Sequence, residues 1–182
     1  MKVGKCVHPR RAYNLMKKFL NDASDMVYLT VDDDYEKTEI LLHKADYFAA
    51  DTSDCIEGDA EQVVFYNFDE LFDESAEYFR DFWCEREPML KEFEDITISL
   101  LHELGHLETN DEIRKDFPMW LRELAEMGID SKYHSYKEKN YVYFTLPDEI
   151  AATEWAIKWL ADNKEIAKKF EKEFLKCWEM CA

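Results

Sequence analysis

The amino-acid sequence predicts an α+β domain, mostly helical, with a small β-sheet. Three observations lead there. Apolar residues make up 47% of the 182 positions and aromatic residues 15%, enough to fill a core, and only 4 Gly and 4 Pro argue against a loop-dominated chain. Apolar side chains recur at helical spacing through most of the chain, with strong helix formers on the charged faces. Two short runs break that period: Met26–Val31 and Gln62–Phe68 are rich in β-branched and aromatic residues and read as strands. No internal repeat and no linker divides the chain, so a single domain over 1–182 is expected.

The elements follow in order. His8-Pro9-Arg10 leads into a first helix to about Asn21, with Ala12, Leu15, Met16, Phe19 and Leu20 on one face. Asp32, Asp33 and Asp34 end the first strand as a charged turn, since their spacing is not that of a calcium loop. Residues 36–50 leave strand and buried helical turn both open, and Asp51 to Ala60 reads as a loop. Asp69 caps a helix to about Glu85 that carries Leu71, Phe72, Phe79, Phe82 and Trp83. Pro88 suits the first turn of the next helix, which either runs on past Glu94 or breaks there. Asn110-Asp111 is expected to end one helix and start another through Met127, kinked at Phe117-Pro118 and closed by Gly128. Ile129 to Lys139 reads as polar loop, and Tyr141 to Leu146 as a short strand or a buried segment. Pro147 opens a helix to Ala161, Asn163 breaks it, and a last amphipathic helix runs from about Lys164 to Met180.

Charge narrows the function classes. With 41 acidic and 23 basic residues the net charge is −18, which disfavours direct nucleic-acid binding because that needs a basic footprint. A solvated acidic surface, or attraction to a basic protein, is what such a balance supports. No stretch reaches transmembrane length, and Met1-Lys2-Val3-Gly4-Lys5 is not followed by the apolar core of a signal peptide. The five cysteines, Cys6, Cys55, Cys84, Cys177 and Cys181, are odd in number and scattered. They read as reduced thiols in a cytoplasmic protein.

The chemistry concentrates between Glu94 and Thr109, where His102-Glu103-Leu104-Gly105-His106 forms a His-Glu-x-x-His pattern. Residues four apart lie one above the other on a helix, so the two imidazoles can grip one zinc ion at about 2.0–2.1 Å. Glu103 is then placed to reach a water at the metal, where a general base is needed. Ile96, Ile98, Leu100, Leu101, Leu104 and Leu107 give this helix an apolar back. Gly105 costs about 1 kcal/mol of helix stability against Ala, and next to a ligand it allows close packing or backbone approach. His43 has no partner at ligand spacing and is not assigned to the metal, and His134 reads as a loop residue.

A catalytic zinc takes a third protein ligand and keeps one position open. The extension to Gly and a third His is absent, because Thr109 and Glu112 hold those positions. The better candidate is Glu149, 43 residues after His106 in the first turn of the Pro147 helix. Small Ala151, Ala152 and Ala156 let that helix approach the motif helix, and Thr153, one turn on, can offer a hydroxyl to a histidine ring nitrogen. Glu154 is the runner-up but points elsewhere on the helix, and Asp148 reads as a cap or first-turn residue that complements the helix dipole.

The motif followed by Glu149-x-x-Ala152-Thr153-x-Trp155-Ala156 resembles the ImmA/IrrE metallopeptidase-like family and its phage-encoded relatives, and is similar to gluzincins of the thermolysin type. The resemblance covers about residues 60–162. It implies a zincin-like fold, Zn2+ held by His102, His106 and Glu149, and Glu103 as general base. It also implies peptide-bond hydrolysis in a protein or peptide partner, in the manner of a regulatory protease of phage or mobile-element origin. The pattern departs from the family at two positions: Ala151 stands where a second Glu is usual and Thr153 where Asn or Asp is usual. Among Tyr133, His134, Tyr136, Tyr141 and Tyr143, one can donate to the oxyanion, although Tyr141 and Tyr143 read first as core aromatics. The other function class is a non-catalytic acidic inhibitor that mimics DNA and keeps a structural or relic zinc.

Overall fold

The structure, a computed structural model, describes residues 3–24, 50–51, 64–65 and 74–180. Among the described residues seven α-helices build the core: α1 (Pro9–Ala23), α2 (Glu74–Arg86), α3 (Asp95–Asp116), α4 (Met119–Lys132), α5 (Tyr136–Tyr143), α6 (Pro147–Asp162) and α7 (Lys164–Phe174).

The centre is α3. Its first three turns bury Ile96, Thr97, Ile98, Leu100, Leu101, Leu104 and Leu107 around most of the circumference, and a helix apolar on nearly all sides belongs inside. Its most extensive partner is α6, which buries Ala152, Ala156 and Leu160 against it. The two backbones touch at Gly105. A Cβ there would stand 2.8 Å from Ala152 Cα and 2.9 Å from its carbonyl carbon, closer than side chains approach. The glycine that weakens the helix locally is what lets the two helices cross at this distance.

On the other side α1 lies on α7. Ala12, Met16, Phe19 and Leu20 face Ala167, Phe170 and Phe174, both sets at helical spacing. Phe19 stacks on Phe170 with ring centroids 4.2 Å apart and meets Trp159 of α6 edge-on at 5.4 Å. The start of α3 is held from two directions. The Glu94 amide donates to Glu171 Oε1 of α7 at 2.7 Å, and Arg80 of α2 pairs with Asp95 while donating to Phe93 O at 3.2 Å. A half-buried helix N-terminus gains from such partners, because its first amides have none within the helix.

The α+β class expected from the sequence is overturned: the described residues are all-α. Strand pairing is confined to two antiparallel two-stranded fragments, β1 (Val3–Cys6) with β4 (Trp178–Met180) and β2 (Ala50–Asp51) with β3 (Val64–Phe65). Neither forms a layer, and every buried core side chain described lies on a helix or on a turn joining helices. Of the two expected strands, Met26–Val31 lies outside the described residues, and Gln62–Phe68 is described only at Val64–Phe65.

The other departures have local causes. Tyr141–Tyr143 is helical, not extended, in a helix that Ser135 caps: Ser135 Oγ accepts from the Glu138 amide at 3.2 Å and donates to Glu138 Oε2 at 2.7 Å. Helix α3 runs through Asn110-Asp111 because Asn110 bonds Arg114 one turn on, at 2.9 Å, instead of capping. The break comes at Phe117-Pro118, where the residue before proline is driven out of the helical region, with φ −131°. Gly128 is interior to α4, Pro88–Glu92 forms a 3-10 turn instead of an α-helix, and α7 stops at Phe174, followed by another 3-10 turn and β4. No helix among the described residues is long and apolar enough to cross a membrane.

Candidate metal centre

His102 and His106 stand one turn apart on α3, with ring centroids 4.7 Å apart. Across the α3–α6 crossing Glu149 projects from the first turn of α6. His102 Nε2 is 3.1 Å from Glu149 Oε2, and His106 Nε2 is 3.6 Å from Glu149 Oε1. One ligand atom from each of the three lies within 4.8 Å of the others, and among the described residues no other His/Cys/Asp/Glu group meets that geometry. Metal–ligand bonds of about 2.0–2.2 Å at tetrahedral angles set ligand atoms roughly 3.3–3.6 Å apart, and the His-His-Glu group is close enough together to hold a metal ion.

Thr153 decides which nitrogen of His102 is available. Its Oγ1 donates to the Glu149 carbonyl at 2.9 Å and also lies 2.9 Å from His102 Nδ1. A hydroxyl has one proton. With that proton given to the carbonyl, Oγ1 accepts from Nδ1–H, and the lone pair of the neutral ring falls on Nε2, the nitrogen facing Glu149. This is how a metal-binding histidine is usually held in tautomer and orientation. Phe79 of α2 walls the same ring edge-on, centroids 5.0 Å apart.

Electrostatics sharpen the arrangement. Burial pushes His102 down toward its neutral form, against the pull of Glu149. At His106 burial acts the same way but is outweighed by the Glu149 hydrogen bond and by the Glu149 and Glu103 charges, so its pKa is raised. Burial alone would raise Glu149, yet the imidazoles of His102 and His106 packed against it hold it well below the usual carboxylate range. Burial thus favours the neutral, metal-binding form of His102, while the anions around His106 favour its protonated form. Glu103 is half-buried beside His102, close enough for its charge to act on His106.

One residue of the site escaped the sequence reading. Arg122 of α4 reaches in and donates through Nη2 to Glu149 Oε1 at 3.0 Å. It also pairs with Asp148, bonds Glu126 Oε1 at 2.9 Å and donates to the Tyr143 hydroxyl. Its only local signal is an i, i+4 pair with Glu126, which is common on solvated helices. Asp148 is thus a buried ion-pair partner, not only a first-turn residue. Tyr143 is half-buried with its hydroxyl on Arg122; burial and then the Glu149 charge keep that phenol protonated far above its ordinary range. Tyr141 packs edge-on against Phe82 at 5.4 Å, as a core aromatic. His134, Tyr136 and Glu154 are exposed, and Cys84 and Cys177 are buried free thiols. His43 and Cys181 lie outside the described residues.

Compared with protein-family models, curated proteins and solved structures, the chain matches none.

Proposed function

We propose that the protein is a zinc-dependent metallopeptidase that hydrolyses a peptide bond in a protein partner. The observation that carries this is the convergence of His102, His106 and Glu149 beside Glu103, with the spare nitrogen of His102 already held by Thr153. Zinc held by these three residues supplies Lewis-acid polarisation of the scissile carbonyl and lowers the pKa of water. Glu103 takes the proton of the attacking water and delivers it to the leaving nitrogen.

The motif's resemblance to the ImmA/IrrE group favours a regulatory protease of phage or mobile-element type. The −18 charge favours a basic substrate protein, and the free buried thiols favour the cytoplasm. The same charge supports a second reading, a DNA-mimicking inhibitor that keeps its zinc without using Glu103.

Metal analysis of untagged protein beside Glu149→Ala, followed by peptidase assays on wild type and Glu103→Ala, tests the proposal. One zinc per chain, lost in Glu149→Ala, with hydrolysis abolished in metal-loaded Glu103→Ala, is the expected result. Hydrolysis that survives Glu103→Ala refutes the mechanism. Zinc without hydrolysis, together with salt-sensitive binding to basic nucleic-acid enzymes, transfers the case to the inhibitor.

A further inference from the structure

Resting on the metal-site reading, we infer that Arg122 is a positioning residue for the metal: its guanidinium holds Glu149 by Oε1, so that Oε2 alone is offered to the ion. Arg122 comes from α4, which carries none of the three candidate ligands. Its side chain is only 17% exposed, and all three guanidinium nitrogens are engaged. Nη2 bonds Glu149 Oε1 at 3.0 Å and the Tyr143 hydroxyl, Nη1 pairs with Asp148, and Nε bonds Glu126 Oε1 at 2.9 Å.

Two features separate positioning from simple charge neutralisation. The first is the charge balance. Glu126, Asp148 and Glu149 surround one guanidinium, so two negative charges stay uncompensated, the complement of a divalent cation. Asp148 and Glu126 absorb the positive charge, and Glu149 keeps its own for the metal. The second is direction. A guanidinium is a planar fork with fixed donor angles, unlike the point charge of a lysine. Pinned by Asp148 and Glu126, it fixes where its third edge can hold Oε1. Oε2 then faces His102 Nε2 at 3.1 Å, while Oε1, held by Arg122, lies farther from its histidine, 3.6 Å from His106 Nε2. A carboxylate with one oxygen so occupied binds as a single-oxygen ligand, and the ion keeps an open position for substrate. Without Arg122 both oxygens are free to turn onto the metal.

Cobalt(II) in place of zinc reads this directly, because four-coordinate cobalt absorbs visible light much more strongly than five-coordinate cobalt. The full chain is loaded with cobalt as wild type, Arg122→Met, Arg122→Lys and the double variant Arg122→Met with Asp148→Asn. The double variant removes both members of the buried ion pair, so a folding defect from an unpaired Asp148 does not cloud the result. Zinc affinity is measured in parallel by chelator competition, and helicity by circular dichroism. The expected result is an intense four-coordinate spectrum in wild type. Folded Arg122→Met forms lose that intensity and bind zinc about 10–100-fold more weakly. Arg122→Lys keeps the charge but falls short of wild type in the spectrum. A cobalt spectrum and zinc affinity unchanged in the folded variants overturn the role of Arg122 and leave the metal site standing. A lowered affinity with an unchanged spectrum of the loaded fraction also overturns it, since that is what a purely structural ion pair does. A wild-type chain that takes up neither metal overturns the metal site itself, and the role of Arg122 with it.

Discussion

Thr153 Oγ1 sits between the His102 ring and the Glu149 carbonyl, 2.9 Å from Nδ1 and 2.9 Å from the oxygen. One hydroxyl thereby links a ligand on α3 to the turn of α6 that carries another. Thr153→Val keeps the shape and removes both bonds. Zinc affinity is expected to fall about 10–100-fold, the usual effect of removing the partner of a ligating histidine. Thr153→Ser retains the hydroxyl and is expected to stay near wild type. Chelator competition checks both, and equal affinities for Val and Ser would show that the hydroxyl does not orient the ring.

Gly105→Ala pits two effects against each other. Helix propensity favours the alanine by about 1 kcal/mol. The new methyl meets the Ala152 backbone, which has no flexible side chain to move aside. Overpacking of this kind costs about 1–3 kcal/mol, so net destabilisation and a wider α3–α6 spacing are expected. Thermal unfolding should show a lower Tm, and zinc binding should weaken because Glu149 moves away from the histidines. A variant more stable than wild type contradicts the rigid contact.

Glu171 is buried, caps the Glu94 amide and pairs with Lys168 at 2.7 Å. Glu171→Ala leaves the half-buried Glu94 amide without its partner, at a cost of about 1 kcal/mol. Glu171→Gln keeps an acceptor oxygen and is expected to lose less. Urea unfolding midpoints decide between them, and indistinguishable variants would mean that water caps α3 equally well.

Phe19→Ala tests the α1–α7 seam, where Phe19 contacts both Phe170 and Trp159. The expected loss is about 3–5 kcal/mol, a large share of the about 5–15 kcal/mol that holds a typical domain together. Denaturant unfolding measures it; a loss below about 1 kcal/mol would mean that the neighbouring rings collapse into the space.

The site was far more legible in the sequence than the sheet. His102, His106 and Glu149 could be paired because helical periodicity is local, and a small-residue face beside Glu149 pointed to close packing. Gly105 and Thr153 followed from the same geometry. Arg122 and Glu171 could not be found that way. Each acts on a residue far along the chain, and their local surroundings, Glu126 and Lys168, look like ordinary surface pairs. The aromatic run at Tyr141–Phe144 suits a strand and a buried helix equally, since short apolar runs carry no decisive period. The deciding signal was the N-cap at Ser135, which lies upstream of the run in a stretch that reads as loop.

The contact between Glu94 and Glu171 also bears on biosynthesis. The helix with both histidines leaves the ribosome well before the residue that caps its first turn has been translated. Glu149 likewise follows the histidines by more than forty residues. A nascent chain therefore carries two of the three candidate ligands before the third has been made. The three candidate ligands come together only once the Glu149 segment has been made and has packed against the histidine helix.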